Sequence, residues 1–333
     1  MKELLRRLTE AYGPSGHEDE VRDLVRQEVK GLADSLTVSS MGSLHAVVNS
    51  QGKTKVMVAA HMDEIGLVVS HIDPAGFARF QMIGGLNPQT LVGHRARFAN
   101  GIRAVIGIED QEDWTKQATL ADLYLDFGVS RAADCPVRIG DIGSFDGPFV
   151  ENGPRLIAKA MDDRVGVAVA IETMRRLRRT PHQVQFAFTV QEEVGLRGAR
   201  TSAFGLDPDV GIALDVTRTG DTPKGPKMAV ELGKGPAIKV KDSNLLSDPR
   251  LVELMVQRAE AARVPYQLEV LQGGTTDASV IQLTRAGVPS GCISIPCRYV
   301  HTPSEMVDLA DVEGAVKLLS AILSRPMDLG RPA

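Results

Sequence analysis

One short stretch constrains this chain more than any other, because an apolar segment with strand character ends in two adjacent carboxylates. Residues 186–190 read FAFTV, and Gln191 then leads into Glu192 and Glu193. Adjacent carboxylates repel each other, and at the mouth of a buried strand they also lose solvation. The stretch therefore predicts a strong positive charge close to Glu192 and Glu193.

The same pattern, an apolar segment that ends at a metal-ligand type of side chain, recurs along the chain. The residues at these ends are His61 and Asp63, then Asp215, then His301, and the acidic pair Asp162 and Asp163 opens a predicted helix. In an open α/β sheet the ligand crevice lies at the carboxyl ends of the strands. These side chains can therefore converge although they are far apart in the sequence.

Two histidines and several carboxylates, with no cysteine, are the ligand types of a hydrolytic zinc or cobalt centre. A single catalytic zinc takes three protein ligands and a water, whereas five candidates remain once one glutamate is set aside as a base. Two cations about 3.5–4 Å apart that share one carboxylate would accommodate all five. Such a pair would also supply the charge that Glu192 and Glu193 require.

Each candidate also has an ordinary alternative. Asp162 and Asp163 are favourable acids at a helix N-terminus, Glu192 and Glu193 would suit a surface turn, and His301 would suit an exposed loop. These alternatives would have to hold at all the positions at once, which favours the metal centre.

Composition excludes several other classes of function. The chain has 42 acidic and 38 basic residues and a net charge of −4, with no basic block, so we expect neither nucleic acid nor a membrane as a partner. We see no secretory signal and no apolar run near the roughly 20 residues that span a bilayer. Three cysteines without CxxC spacing indicate reduced thiols and a cytoplasmic protein.

Two regions of different character make up the 333 residues. Helical and strand patterns alternate in residues 1–64 and 157–333, which predicts one discontinuous α/β domain. Residues 65–156 contain short β-branched runs and recurrent glycines, which predicts an inserted β-rich domain. Near the N-terminus, Ser15 and Glu18 have the spacing of a capping box, with Ser15 as the helix N-cap.

Five motifs together resemble those of the TET-type, glutamyl-aminopeptidase-like family of dinuclear metallo-aminopeptidases, some members of which are labelled endoglucanases. The motifs are AHMDEIG at residues 60–66, KAMDDRVG at 159–166, QEEVGLRGA at 191–199, ALDV at 213–216 and RYVHTP at 298–303. Two weaker segments, TGDTP at 219–223 and LGKGP at 232–236, extend the resemblance, which runs from the first predicted helix to the last.

The resemblance implies a role for each motif residue. His61 and Asp215 would bind one divalent metal ion, Glu193 and His301 would bind the other, and Asp162 would bridge them. Glu192 would be the general base that takes a proton from a metal-bridged water, and Asp63 would orient the imidazole of His61. Each subunit would thus hold two ions, with zinc or cobalt as the expected metals.

The resemblance also implies a fold and an assembly. We expect a zinc-peptidase-like α/β/α catalytic domain whose β-rich insert is a PDZ-like dimerisation domain, with dimers that form a dodecamer. The expected activity is hydrolysis of the N-terminal residue from unblocked peptides.

One segment departs from the family pattern. The family shows three glycines before Thr-Asp-Ala in the segment that lines the substrate pocket, whereas this chain has Gly273, Gly274, Thr275, Thr276 and Asp277. Thr275 adds a side chain where only backbone is usual. The preferred N-terminal residue can therefore differ, and the glutamyl specificity is not transferred to this chain.

Three alternatives to the aminopeptidase stay open at this point. Two nearby carboxylates also serve a glycosidase, although that reaction gives His61, Asp162 and His301 no role. A dinuclear deacylase or carboxypeptidase would use similar metal ligands, and a non-catalytic scaffold would need none. The G-x-S-x-G, H-E-x-x-H and P-loop patterns are absent from the sequence.

Overall fold

The computed structural model describes residues 1–110 and 117–329, and residues 111–116 of the predicted insert and 330–333 lie outside that description. The strands of the described residues are, in chain order, β1 (Ser35–Val38), β2 (Leu44–Val48), β3 (Lys55–His61), β4 (Gly66–Ile72), β5 (Ala78–Ile83), β6 (Arg95–Phe98), β7 (Arg103–Ile108), β8 (Leu123–Asp126), β9 (Ile142–Phe145), β10 (Val150–Asn152), β11 (Arg155–Ala158), β12 (Gln183–Thr189), β13 (Val210–Thr217), β14 (Ala237–Lys241), β15 (Gln267–Val270), β16 (Ser290–Arg298) and β17 (Glu305–Asp308). The α-helices are α1 (Lys2–Glu10), α2 (Asp19–Val29), α3 (Met161–Arg176), α4 (Arg197–Leu206), α5 (Pro249–Ala262), α6 (Ala278–Gln282) and α7 (Leu309–Leu323).

A large mixed sheet of eleven strands forms the centre of the molecule. Its main path runs β1-β2-β12-β3-β13-β16-β17-β11-β10, and β14 pairs with β16 and carries β15 beside it. The four central strands β12, β3, β13 and β16 are parallel. Their carboxyl ends therefore lie at the same edge of the sheet, and Thr189 at the end of β12 pairs with His61 at the end of β3.

The apolar sequence of β3 follows from its position between two helical layers. Val56, Val58 and Ala60 belong to the main core, whereas Met57 and Ala59 belong to a smaller cluster on the other face. Side chains alternate between the two faces of a strand, so a strand that is covered on both faces is apolar throughout. Each valine buried in this way contributes about 1.5–3 kcal/mol.

Helices cover both faces of the sheet. On one face α3 contacts β3 and β13 and packs against α1, α2 and α7, while on the other face α4 and α6 contact each other and the central strands. Most residues of α3 are buried on every side, as expected for a helix enclosed by other elements. The helix starts at the strand edge where the candidate ligands lie.

The inserted region forms a second body with its own core. Strands β4-β5-β8-β7-β6-β9 close into a barrel, and its interior holds a separate apolar cluster that includes Leu67, Phe80, Phe98, Ile106 and Phe145. The α/β fold with an inserted β-rich domain is thus confirmed. The last barrel strand ends at Phe145, while β10 and β11 pair into the large sheet, so the predicted insert boundary at residue 156 lies beyond the barrel strands.

The capping box predicted for Ser15 is wrong. Helix α2 begins at Asp19, its N-cap residue is Glu18, and the helix has no side-chain cap. The hydroxyl of Ser15 instead donates a hydrogen bond of 2.6 Å to Oδ2 of Asp63. The hydroxyl of Ser15 therefore makes a tertiary contact at the strand edge instead of the predicted contact with the start of α2.

The described residues contain neither a membrane-spanning helix nor a disulfide bond. None of their helices is both long enough and apolar enough to cross a membrane. Cys135, Cys292 and Cys297 are all free thiols, and the last two are buried.

Candidate metal centre

Two overlapping groups of ligand-type side chains lie at the carboxyl edge of the parallel strands. One group is His61, Asp162 and Asp215, and the other is Asp162, Glu193 and His301; within each, the potential ligand atoms lie within 4.8 Å of one another. The five residues are those that the sequence motifs singled out, and Asp162 belongs to both groups.

Asp162 faces the two groups with different oxygens. Its Oδ1 lies 3.0 Å from Nε2 of His61, and its Oδ2 lies 3.3 Å from Nε2 of His301. The same Nε2 of His301 lies 3.2 Å from Oε2 of Glu193. A carboxylate with one oxygen toward each group has the arrangement of a bridging ligand.

Hydrogen bonds fix the orientation of both imidazoles. Nδ1 of His61 lies 3.1 Å from the carbonyl oxygen of Asp63, and Nδ1 of His301 lies 2.7 Å from the carbonyl oxygen of Gly85. A carbonyl oxygen only accepts, so each Nδ1 donates a hydrogen bond, and each Nε2 is the ring nitrogen that faces the carboxylates. Histidines that bind metals are typically held in this way.

The carboxylate of Asp63, which is predicted to orient the imidazole of His61, also contacts other groups. Its Oδ1 lies 3.5 Å from Nδ1 of His61, farther than the carbonyl oxygen of the same residue. The carboxylate also accepts the backbone N–H groups of Glu192 (3.0 Å) and Glu193 (3.2 Å) and the hydroxyl of Ser15. Asp63 therefore fixes the turn that carries the two adjacent glutamates.

The start of α3 places Asp162 and Asp163 in different environments. Both residues have non-helical backbone angles although they lie within the helix bounds. Asp163 points inward, where it accepts the N–H groups of Gly166 (3.0 Å) and His61 (3.3 Å). A Cβ at position 166 would lie 2.4 Å from the carboxylate oxygens of Asp163, so this turn requires glycine. Asp162 is left to face the two histidines.

Glu192 stands beside the two groups without belonging to either. Its Oε2 lies 4.0 Å from Nε2 of His61, and the residue lines the open cavity over the cluster. A carboxylate near the ligands, but outside both groups, has the position expected of a base.

Several acidic side chains of the cluster are buried close to one another. Burial raises the pKa values of Glu192 and Asp215 well above their ordinary range, and nearby carboxylates raise them further. Burial also raises the pKa of Asp162, but hydrogen bonds with His301 and His61 outweigh this and hold it below its ordinary value. Oε1 of Glu193 is buried and has no hydrogen-bond partner among the described residues. The donor set and this unpartnered oxygen fit a divalent cation.

A cavity of about 600 Å³ extends from the cluster toward β14 and the segment after β15. Its lining includes Gly273, Gly274, Thr275 and Thr276 of the segment for which a substrate pocket is predicted. Asp277 does not line the cavity, because it is buried behind that segment and its Oδ2 accepts the hydroxyl of Thr189 at 2.6 Å.

The cavity also has cationic walls that the sequence did not reveal. Arg200, Arg218 and Lys239 line it beyond the cluster. The ammonium of Lys239 is buried and lies 2.6 Å from Oε1 of Glu269, which neutralises it. Arg200 and Arg218 are exposed and have no side-chain partner among the described residues.

Two buried acids near the cluster were missed in the sequence. Glu64 pairs with Lys159 (2.8 Å) and Arg164 (3.4 Å), and all three side chains are buried. Glu305 accepts backbone N–H groups of Asp162 and His301. Glu64, Lys159 and Arg164 lie inside the quoted motifs, so the opposite charges of these three residues could have indicated a buried ion pair. For Glu305 the only signal in the sequence was its position four residues after His301.

The chain is similar to known proteins along most of its length. A family model described as M42 glutamyl aminopeptidase matches residues 42–318. The chain is similar to the lysyl aminopeptidase of Pyrococcus furiosus, with 37% identity over 343 residues, which cover 98% of each chain.

Solved structures are also similar to the chain along most of its length. The chain is similar to aminopeptidase APDkam598 from Desulfurococcus kamchatkensis, with a TM-score of 0.94 and 43% identity, over 98% of this chain and 94% of that one. It is also similar to the TET1 peptidase of Pyrococcus horikoshii, which assembles into a tetrahedron or a large octahedral shell, with a TM-score of 0.86 and 32% identity, over 96% and 98% of the two chains.

Proposed function

The chain belongs to the M42 glutamyl aminopeptidase family and is a metal-dependent aminopeptidase, and we propose a specific division of labour among the residues of its site. Five residues hold two divalent cations, and Glu192 acts as the base that activates water for cleavage of the N-terminal peptide bond. The observation that carries this proposal is the pair of ligand groups that share Asp162 while Glu192 stands outside both.

In this proposal His61 and Asp215 would hold one cation, Glu193 and His301 would hold the other, and Asp162 would be shared by both. The mixture of imidazole and carboxylate ligands favours zinc or cobalt. Bound cations would polarise the peptide carbonyl and lower the pKa of a water at the site.

The protein's own groups perform the proton transfers. Glu192 accepts a proton from the attacking water and delivers it to the departing amine, because it lines the cavity and is not occupied as a ligand. Asp63 keeps Glu192 in place through its bond to the backbone N–H of that residue.

We propose that the segment from Gly273 to Thr276 is a wall of the pocket for the N-terminal side chain. Leu196, Val216 and Leu271 give the cavity apolar surface, and Arg200 and Arg218 give it unneutralised positive charge. Unpaired cations favour an anionic ligand, with screening by salt. We therefore expect a carboxylate near the peptide N-terminus to improve binding.

The proposal includes self-association and a cytoplasmic location. The TET1 peptidase of Pyrococcus horikoshii can assemble into a tetrahedron or a large octahedral shell, and a dodecamer built from dimers through the inserted barrel is the arrangement that we propose for this chain. The free state of all three cysteines supports a reducing compartment.

The glycosidase alternative has less support. It needs two carboxylates and no metal, whereas this site surrounds Asp162 with two histidines whose Nε2 atoms face it. A deacylase or carboxypeptidase would share the metal ligands, so the requirement for a free substrate amine separates those reactions from the proposed one.

The proposal is tested by metal depletion and reconstitution. Protein treated with a chelator is titrated with Zn²⁺ or Co²⁺ and assayed on aminoacyl anilides, on N-acetylated equivalents and on cellulose. We expect activity on free-amine anilides to appear as two equivalents bind. Activity on cellulose that survives chelation, or equal activity on acetylated substrates, would contradict the proposal.

A further inference from the structure

Glu305 joins two segments of the candidate centre through one carboxylate. Its Oε2 accepts the backbone N–H of Asp162 at 2.9 Å, and its Oε1 accepts the backbone N–H of His301 at 2.7 Å. The residue is 1% exposed. One side chain thus binds the backbone of the shared ligand and that of a ligand from the second group.

The sheet topology explains why Glu305 can reach both. Strand β17, which Glu305 begins, lies between β16 and β11. The chain passes from β11 to Asp162 and from β16 to His301, and Glu305 pairs with Ala158 at the end of β11. Glu305 therefore lies where the two ligand-bearing segments leave the sheet.

Neither segment is held by regular secondary structure at its ligand. His301 has a φ of 64° and Ala160, just before the acidic pair, has a φ of 54°, both in the left-handed region that non-glycine residues adopt only when their surroundings hold them there. Asp162 itself has non-helical angles. The hydrogen bonds of Glu305 supply the restraint that a helix or strand ladder would otherwise provide.

The stability of the fold does not explain why a carboxylate is buried at position 305. No salt bridge involves it among the described residues, and its two partners are neutral N–H groups. A buried carboxylate without a cationic partner is costly, and this one lies beside a cluster that is already acidic. Its two hydrogen bonds, one to each ligand-bearing segment, suit an exact spacing between those segments.

We propose that Glu305 is a positioning residue that sets the distance between Asp162 and His301 and so determines the affinity of the second cation. This inference rests on the metal roles given under the proposed function. Glu305 does not itself contact substrate, and it acts through the backbone of the two ligands.

The test compares Glu305→Gln with Asp311→Asn. A glutamine has a single acceptor oxygen, so its amide N–H₂ would face one of the two backbone donors. Asp311 is a matched control, because it is also buried and accepts two backbone N–H groups, from Gly233 (2.6 Å) and Gly235 (2.7 Å), but belongs to neither ligand group.

Metal-free proteins are titrated with Co²⁺ by calorimetry, and the visible absorption of bound Co²⁺ is recorded. For Glu305→Gln we expect the second equivalent to bind about 10–100-fold more weakly, the range found when hydrogen-bonding partners of metal ligands are removed. The absorption spectrum should change, and activity should return at higher cobalt concentrations. Asp311→Asn should keep the wild-type titration and spectrum even if its melting temperature falls.

Wild-type affinity and spectrum in Glu305→Gln would overturn the proposal, as would an equal loss of metal affinity in Asp311→Asn. If Glu305→Gln does not fold, Glu305→Asp keeps the charge but is one methylene too short to reach both donors, so normal second-site affinity in that variant would also overturn it. Failure of the proposed function looks different, because wild-type protein would then bind metal without cleaving peptides while the affinity comparison remained measurable.

Discussion

Ser15 contacts the site through one hydrogen bond, which its hydroxyl donates to Asp63. Its hydroxyl is one of three donors to the carboxylate of Asp63, with the backbone N–H groups of Glu192 and Glu193. Removal of a donor to a buried charged acceptor costs about 1.5–3 kcal/mol. We predict that Ser15→Ala lowers the free energy of unfolding by about 1.5–3 kcal/mol and lowers kcat about 3–10-fold. This loss of kcat is smaller than the loss of about 10–100-fold that is typical for a residue in direct contact with a metal ligand.

The measurement for Ser15→Ala is steady-state kinetics at saturating metal, together with chemical denaturation. Ser320→Ala is the control, because Ser320 donates a similar hydrogen bond of 2.7 Å to the carbonyl of Val316 within α7. Equal kcat values for the two variants would show that the contact with Asp63 has no catalytic role.

Gly85 brings the inserted domain into contact with the candidate centre. Its carbonyl accepts from Nδ1 of His301, and a Cβ at this position would lie 3.1 Å from that nitrogen. Such a distance forces the ring or the loop to move. We predict that Gly85→Ala weakens binding of the second metal equivalent about tenfold or more, measured by titration of metal-free protein. Gly205→Ala in α4 has open space around the new methyl group, and unchanged metal binding is expected there.

Among single residues, the sequence predicted those whose side-chain type and position after an apolar segment already indicate a metal ligand. His61, Asp162, Glu193, Asp215 and His301 are ligand types that follow apolar segments, and the structure brings them together. The roles of Ser15 and Glu305 could not be predicted, because the contacts of Ser15 with Asp63 and of Glu305 with Asp162 join segments that are remote in the sequence. The local spacing of Ser15 and Glu18 even favoured a helix cap that does not form.

Among the elements, the central strands were the easiest to predict and the barrel the hardest. Runs such as residues 56–60 are apolar because both faces are covered, and this pattern is local. The barrel pairs β9 with both β4 and β6, and short alternating runs do not specify which strands become neighbours. The return of β10 and β11 to the large sheet was missed for the same reason.

The elements around the cavity lead to a prediction on substrates. Arg218 follows β13 and Arg200 lies on α4, and both line the cavity. We predict that kcat/KM for a glutamyl anilide exceeds that for the glutaminyl anilide by about threefold or more, since a partly exposed ion pair contributes up to about 1 kcal/mol. Arg218→Gln should reduce this ratio, and so should added salt.

Arg263→Gln is the control for Arg218→Gln, because Arg263 is the C-cap residue of α5 and does not line the cavity. Dipeptides with glutamate or glutamine in second place show whether the favoured carboxylate belongs to the first or the second residue. A glutamyl-to-glutaminyl ratio near one, unaffected by salt, would contradict the assignment of charge to this pocket.

For the whole molecule, bound metal should stabilise the fold. Buried carboxylates that lack a cation repel one another, and a ligand present at 100 times its Kd stabilises the native state by about 2.7 kcal/mol per site. We predict that chelation lowers the melting temperature by about 5 °C or more, and that Zn²⁺ or Co²⁺ restores it. Calorimetric melting with and without chelator measures this, and an unchanged melting temperature would contradict a resident metal centre.

The division of labour between two adjacent glutamates is tested most directly by parallel substitutions at both. Metal content and peptide hydrolysis are measured for Glu192→Gln and Glu193→Gln after identical reconstitution. Glu192→Gln should retain two equivalents of metal and lose most of its turnover, by about 100-fold or more as expected for a general base, whereas Glu193→Gln should lose one equivalent. Near-normal turnover in Glu192→Gln, or full metal content in Glu193→Gln, would contradict the proposed roles.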